Sequence, residues 1–287
     1  MILSAIHTTT YLYSAPVSIC HTEVHLEPRP VASQAVLEHS ITVSPRPDYA
    51  IERRDYFGNP VTSFSIHEPH DTLTVTSTSR VEVTGEEPPQ PGLTPAWEAV
   101  RDEVAARASD ELLAACEFGF ASPLVKIGPS FAGYAGPSFA EGRPILEAGI
   151  DLCHRIFTDF IYDPRATTIS TPVDEVLERR HGVCQDFAHL MIACLRSLGL
   201  PARYVSGYLR SGEHTVGAEA SHAWVSLFCP GFGWFDFDPT NDMMPYRGHV
   251  TIAWGRDYSD VTPVKGVALG GGEQVINVSV SVLPASA

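Results

Sequence analysis

Positive charge is what this chain has least of. Nineteen Lys and Arg stand against 34 Asp and Glu over 287 residues, a formal net charge of -15. With no basic run to offset that balance, a polyanion would be repelled by most of the surface, and nucleic acid is not an expected partner. Long apolar stretches are also missing. None approaches the roughly 20 residues that span a bilayer, so no membrane association is expected. The opening MILSAIHTTTYLYSAPVS has neither a basic start nor a long apolar core and does not read as a secretory signal. The six cysteines (Cys20, Cys116, Cys153, Cys184, Cys194 and Cys229) contain no C-x-x-C pair. Structural zinc therefore has no spacing to use, and the thiols are expected to be free, in a cytoplasmic protein. A D-x-D-x-D-G loop for calcium is absent too. Neither a metal nor a cofactor is expected. What is present, 44% hydrophobic and 18% charged residues, is the composition of a packed globular protein.

Residues 2 to about 85 alternate in the manner of strands, punctuated by Pro28, Pro30, Pro45, Pro47 and Gly58-Asn59-Pro60. In Thr72 to Val83 the apolar residues Leu73, Val75, Val81 and Val83 keep odd numbers, predicting one buried face. These features predict an antiparallel β-sandwich over 1–85. Gly85 to Pro95 (GEEPPQPGLTP) reads as a linker, and residues 95–287 as a second unit. That unit opens with helical composition over 95–116 and apolar helical spacing over 144–160. Residues 117–143 read as irregular loop. Thr171-Pro172-Val173-Asp174 has the form of a capping box, and a further helix is expected from about Val183 to Leu198, stopped by Gly199 and Pro201. Strands follow in ARYVSGYL, SHAWVSLF, GWFDFDP and EQVINVSVSVL. Helices before antiparallel strands indicate an α+β core.

Cys184 is ambiguous on its helix alone. At about 100° per residue it falls within the stripe of Phe187, Met191, Cys194, Leu195 and Leu198, the place of a core thiol, while Gln185, Asp186, His189, Arg196 and Ser197 take the opposite face. Cys184, His189 and Cys194 are each five residues apart, so successive members rotate by about 140° and cannot converge on one ion. Position argues for chemistry. At a first helical turn, unpaired N–H groups and the helix dipole favour a thiolate, and the same N–H groups can hold a carbonyl oxyanion. Gly182 lets the chain turn tightly into that helix.

A cysteine nucleophile needs a base and a group to orient it. On the strand ASHAWV, His222 and Trp224 share a face. The next strand puts Trp234, Asp236 and Asp238 on one side, so either acid can reach the imidazole and the period of two does not choose between them.

Taken together, Gly182-x-Cys184-x-Asp186, LGLPARYVSGY, Ser221-His222-Ala223-Trp224-Val225 and Gly233-Trp234-x-x-Phe237-Asp238-Pro239-Thr240 resemble the transglutaminase-like superfamily. HTTTYLYSAPVS and DYFGNPV are similar to the N-terminal domain of its bacterial members, and GRDYSDVTPVKGV to a segment near their C-terminus. The resemblance implies a papain-like fold and a Cys184–His222–Asp238 triad, its Asp-Pro-Thr motif selecting Asp238 over Asp236. It makes Asp186 and Trp224 site-supporting and sets Arg256, Asp257 and Tyr258 along the cleft. Gln185 is a candidate oxyanion donor, although its helical position points it away from the apolar stripe. The implied reaction is cysteine-dependent acyl transfer on a peptide or protein substrate. Hydrolysis is the expected outcome, with transamidation or a non-catalytic binding module as alternatives. Substrate identity and oligomeric state are not encoded in any motif.

Overall fold

The computed structural model describes residues 1–85, 87–210, 216–217 and 220–285. Five strands open the chain: β1 (Ile2–Val24), β2 (Gln34–Ser44), β3 (Tyr49–Arg54), β4 (Pro60–Ile66) and β5 (His70–Val83). In β5 every odd residue from Leu73 to Val83 is buried, as its alternation predicts. A strand of 23 residues is too long to run straight through a small sheet. The register of β1 against β5 shifts between Leu12 and Val17, beside Pro16, and there β1 changes partners. Its first half lies between β5 and β13 (Gln274–Pro284), its second between β4 and β12 (Val264–Gly270). The result is one seven-stranded antiparallel sheet whose halves share a small core of Val17, Cys20, Val24, Phe64, Ile66, Leu73 and Val75. The end of the chain, assigned by sequence to the 95–287 unit, is thus built into the N-terminal sheet. EQVINVSVSVL completes the neighbourhood of β1 and not that of the second sheet.

The second unit holds six helices among the described residues: α1 (Trp97–Ala106), α2 (Asp110–Cys116), α3 (Pro129–Ala135), α4 (Ile145–Asp159), α5 (Val173–Arg179) and α6 (Cys184–Ser197). The helical stretch expected over 95–116 is two helices, broken where Arg107 takes φ 49° and restarted by the Ser109 hydroxyl accepting from Leu112 N. The stretch read as loop over 117–143 contains α3, begun by Pro129, with Phe131 and Ala135 packed into the main core. No capping box forms at Thr171. Its hydroxyl accepts from Thr168 N instead, and α5 begins at Val173 after Pro172. In the linker, Pro91–Leu93 form a single 3₁₀ turn, while residue 86 lies outside the described residues.

A four-stranded antiparallel sheet, in the order β10 (Gly233–Phe237), β9 (His222–Cys229), β8 (Ala202–Leu209), β11 (His249–Gly255), covers α6. Ala223, Val225 and Leu227 of β9 join the core with Leu190, Met191 and Leu195 of α6. The two-faced helix expected from the sequence is instead buried all round from Asp186 to Arg196. Its polar side is covered as well, and the buried groups are satisfied there. Arg196 donates to the carbonyls of Ala202, Phe120 and Arg256, and His189 Nε2 accepts from Tyr258 N at 3.2 Å. Burial lowers the His189 pKa to about 4, which keeps that ring a neutral acceptor.

Two side-chain amides join the units along the outer edge of β11. Gln34 accepts from Thr251 N and donates to Thr251 O, both at 2.8 Å. Asn59 accepts from Trp254 N at 3.0 Å and donates to Trp254 O at 2.8 Å. Each amide thus supplies the donor and acceptor that a neighbouring strand would, and the exposed edge is closed.

Candidate active site

Cys184 is the first residue of α6, and Val183 precedes it as N-cap. The turn into the helix is fixed by Asp186, whose Oδ2 accepts from Val183 N at 2.8 Å and from the Thr167 hydroxyl at 2.6 Å. Burial raises the Asp186 pKa, and those two hydrogen bonds act in the opposite direction. A Cβ on Gly182 would stand 2.8 Å from Asp186 Cβ, so glycine is needed there to let the carboxylate fold back onto the backbone. Gly182 lies in a two-residue parallel bridge, β7 (His181–Gly182), against β6 (Ile161–Tyr162). Its role is close approach rather than an unusual φ. Gln185 Nε2 is engaged by Ile169 O at 3.2 Å.

His222 is the first residue of β9, and Asp238 follows β10 directly. His222 Nε2 donates to Asp238 Oδ2 at 2.7 Å, with both side chains removed from solvent. Asp238 is gripped from several directions. Oδ2 also accepts from His249 Nε2 at 3.1 Å and Asn241 Nδ2 at 2.8 Å, while Oδ1 accepts from the backbone of Thr240 at 3.0 Å and Asn241 at 3.3 Å. Burial opposes its charge, yet the two histidines hold its pKa well below the usual carboxylate range. For His222, burial works against the cation, but the Asp238 carboxylate and then Cys184 outweigh it and raise its pKa to about 10. The second ring nitrogen, Nδ1, has no hydrogen-bond partner among the described residues. A Cβ on Gly217 would come within 2.9 Å of it.

Asp236, two residues earlier, belongs to a different network. It accepts from Trp224 Nε1 at 3.1 Å and from the Ser226 hydroxyl. Trp224 in turn presents its ring edge to His249, with centroids 5.2 Å apart. Gly207 makes room for that indole: a Cβ there would meet Val250 O at 2.2 Å and Trp224 Cη2 at 2.4 Å. Three phenols surround Cys184. A thiolate there would oppose the ionisation of Tyr162, Tyr204 and Tyr258, whose pKa values burial already raises, to about 12 for Tyr162 and Tyr258. Of the three residues set along the cleft by resemblance, only Tyr258 is a neighbour of this kind. Arg256 is paired with Asp260 at 2.9 Å, and buried Asp257 accepts from Leu124 and Ser259.

His249 and Asn241 are site residues that sequence reasoning missed. Asn241 stood next to the Asp-Pro-Thr motif and could have been flagged as a turn residue. His249 lies 11 positions downstream on another strand, where no spacing rule leads to Asp238. His222, Asp238 and His249 offer ligand atoms within 4.8 Å of one another, the one such trio among the described residues. Both Nε2 atoms sit at hydrogen-bond distance from a single carboxylate oxygen, so the arrangement reads as a proton-sharing network around Asp238.

Comparison with known sequences finds the bacterial transglutaminase-like N-terminal region over residues 3–82 and the transglutaminase-like superfamily over residues 137–239. An uncharacterised protein of Mycobacterium tuberculosis is 42% identical over 289 residues, covering 97% of this chain and 91% of that protein. A protein-glutamine gamma-glutamyltransferase of Pseudomonas aeruginosa is 35% identical over 101 residues, which is 31% of this chain and 15% of that protein. Among solved structures, a candidate cysteine protease from Cytophaga hutchinsonii shares the fold. It superposes with a TM-score of 0.75 at 22% identity, over 99% of this chain and 92% of that one. No helix among the described residues is long and apolar enough to cross a membrane.

Proposed function

The chain belongs to the transglutaminase-like superfamily, and from that premise we propose that it is a cysteine-dependent acyl-transfer enzyme with Cys184 as nucleophile, His222 as base and Asp238 as the acid that orients the imidazole. The observation that carries this reading is the buried His222–Asp238 pair at 2.7 Å, with Cys184 at a helix N-terminus beside it. An imidazole held by a carboxylate at Nε2 leaves Nδ1 to exchange protons with a thiol. The thiolate attacks the amide carbonyl. In this reading the N–H groups of the first turn of α6 receive the developing oxyanion, and the imidazolium gives its proton to the departing amine. Water activated by the same imidazole then resolves the thioester, giving a carboxylic acid and the free thiol.

In this reading His249 is a positioning residue. It touches no substrate and donates to the same Asp238 oxygen that His222 holds, so that the carboxylate keeps both its charge and its direction. Asp186 shapes the entry to α6, and Gln185 is tied to the Ile169 carbonyl instead of serving as an oxyanion donor. Trp224 and Asp236 support the sheet next to the site. Transamidation is the second reading, favoured by the name of the Pseudomonas relative.

The test is turnover of a capped glutamine- and amide-containing peptide library, with and without a primary amine. Release of peptide acids dependent on Cys184 and His222 fits hydrolysis, while amine incorporation shifts the reading to transamidation. Turnover that survives Cys184→Ala, or a thiol that reacts no faster in wild type than in His222→Ala, sinks the triad and leaves a binding module.

A further inference from the structure

Away from Cys184, a cavity of about 830 Å³ opens between the second sheet and the N-terminal part of the chain. Its walls come from residues 31–33 and 87–89 on one side and from β8, β10 and β11 on the other. Arg203 is among the lining residues. The guanidinium is stacked between two indoles, 4.1 Å from the Trp234 centroid and 3.7 Å from that of Trp254. It makes no ion pair or hydrogen bond with the described residues, and its Nε is buried without a partner. Asp236, the nearest acid in its surroundings, is engaged with Trp224 and Ser226. The contrast with Arg29 is direct. Arg29 stacks on the same Trp254 at 3.6 Å but also donates to Asn59 Oδ1 at 2.6 Å. A guanidinium held between two indoles, without a hydrogen-bond partner, in the wall of a roomy cavity offers an anchor for an anion.

We infer that this cavity binds a carboxylate attached to an apolar body, with Arg203 as the anchor. Glu87 and Asp236 also line the space. The largely apolar walls offer little to replace the strong hydration of a phosphate dianion, whereas a carboxylate carried on an apolar body gains from them. The remaining walls, including Phe232, Met244, Pro88 and Pro89, suit an aliphatic or aromatic body. Burial lowers the Arg203 pKa to about 9, with Asp236 opposing and Arg29 adding to the shift, so the side chain remains a cation at neutral pH. The inference does not depend on the acyl-transfer reading, since neither Cys184 nor His222 lines the cavity.

Trp234 and Trp254 make the experiment direct, because a ligand on Arg203 changes the surroundings of both indoles. Tryptophan emission is titrated with N-acetyl-leucine, with its primary amide, with the capped peptide acetyl-Ala-Glu-Ala-amide and with inorganic phosphate. A saturable change with N-acetyl-leucine, weaker by about ten- to hundredfold for the amide, is the expected result. The glutamate peptide binding in its place assigns the site to acidic side chains rather than to small acids, with the same anchor. Arg203→Gln loses the binding by a similar factor, and Arg203→Lys, which keeps the charge without the fork, recovers only part of it. Cys184→Ala binds as tightly as wild type. Absence of a saturable response to both carboxylates, equal affinity for acid and amide, phosphate binding as tight as the acid, or loss of binding in Cys184→Ala would each overturn the proposal. The acid–amide comparison uses wild-type protein and stands even where an Arg203 variant misfolds.

Discussion

Asp236 and Asp238 sit two residues apart at one end of the second sheet, yet their surroundings have little in common. Asp238 is surrounded by titratable rings and a turn, with His222 and His249 converging on one oxygen. Asp236 accepts its hydrogen bonds from groups that do not titrate, an indole N–H and a hydroxyl, which anchor it to β9. In the proposed mechanism one carboxylate biases proton transfer, while the other ties two strands together. Residue identity alone does not separate them. The partners do.

The widest separation is expected at the nucleophile itself. Cys184→Ala removes the covalent route, and turnover of an amide substrate should fall by as much as six orders of magnitude, on the order of 10⁶. Asp238→Asn should lower kcat/KM by about 10² to 10⁴ with the fold retained by circular dichroism, whereas Asp236→Asn should leave the rate within about threefold. Asp236→Asn should instead cost about 1–3 kcal/mol of stability in urea melts, as a half-buried carboxylate that accepts two hydrogen bonds is weakened. Equal rate losses in the two variants would erase the distinction drawn here.

A pH series sharpens the comparison. Folded His222 holds its proton to about pH 10, against an ordinary value of 6.5, so its contribution to stability is complete below pH 6.5 and is lost as pH rises toward 10. Asp238 is shifted the opposite way from 3.8, so its contribution is present above that value and disappears on acidification. The ion pair is therefore fully stabilising between pH 3.8 and 6.5. The melting temperature of the wild type should decline above that window more steeply than that of Asp238→Asn, and superimposable profiles would contradict the assignment. A smaller effect, about tenfold in kcat/KM, is expected for His249→Ala, accompanied by a shift of the alkaline limb of the pH–rate profile. His249→Gln, which keeps an N–H donor, should recover part of the rate. The smallest change concerns local fit. Gly182→Ala should lower stability by about 1–3 kcal/mol, because a methyl group displaces Asp186 from the backbone.

Legibility in the sequence follows the same line. Where one face of a strand meets water, as in β5, the period of two exposes the core directly, and the N-terminal strands are readable. β9 is buried at every position and α6 along nearly its whole length, so neither carries a pattern that separates core from site. Cys184 and His222 could be proposed from the residues themselves, and Asp238 over Asp236 only through the family resemblance. His249 was not, because its link to Asp238 runs through a sheet edge whose position is set by Gln34 and Asn59, more than 180 residues upstream. The destination of β12 and β13 was hidden for a related reason: alternation shows that a segment is a strand but not which edge will receive it.

That destination also has a consequence in time. β1 receives β12 and β13 along the edge opposite β4 and β5, and roughly 180 residues separate the end of β5 from the start of β12. At 5–20 residues per second, synthesis of that interval takes about 10–40 s. Over that period a nascent chain carries a long strand with one open, hydrogen-bonding margin. Encounters with other nascent chains are most hazardous in this interval. Cellular yield of this protein should therefore respond to translation speed and to holding chaperones more than to the strength of its finished core.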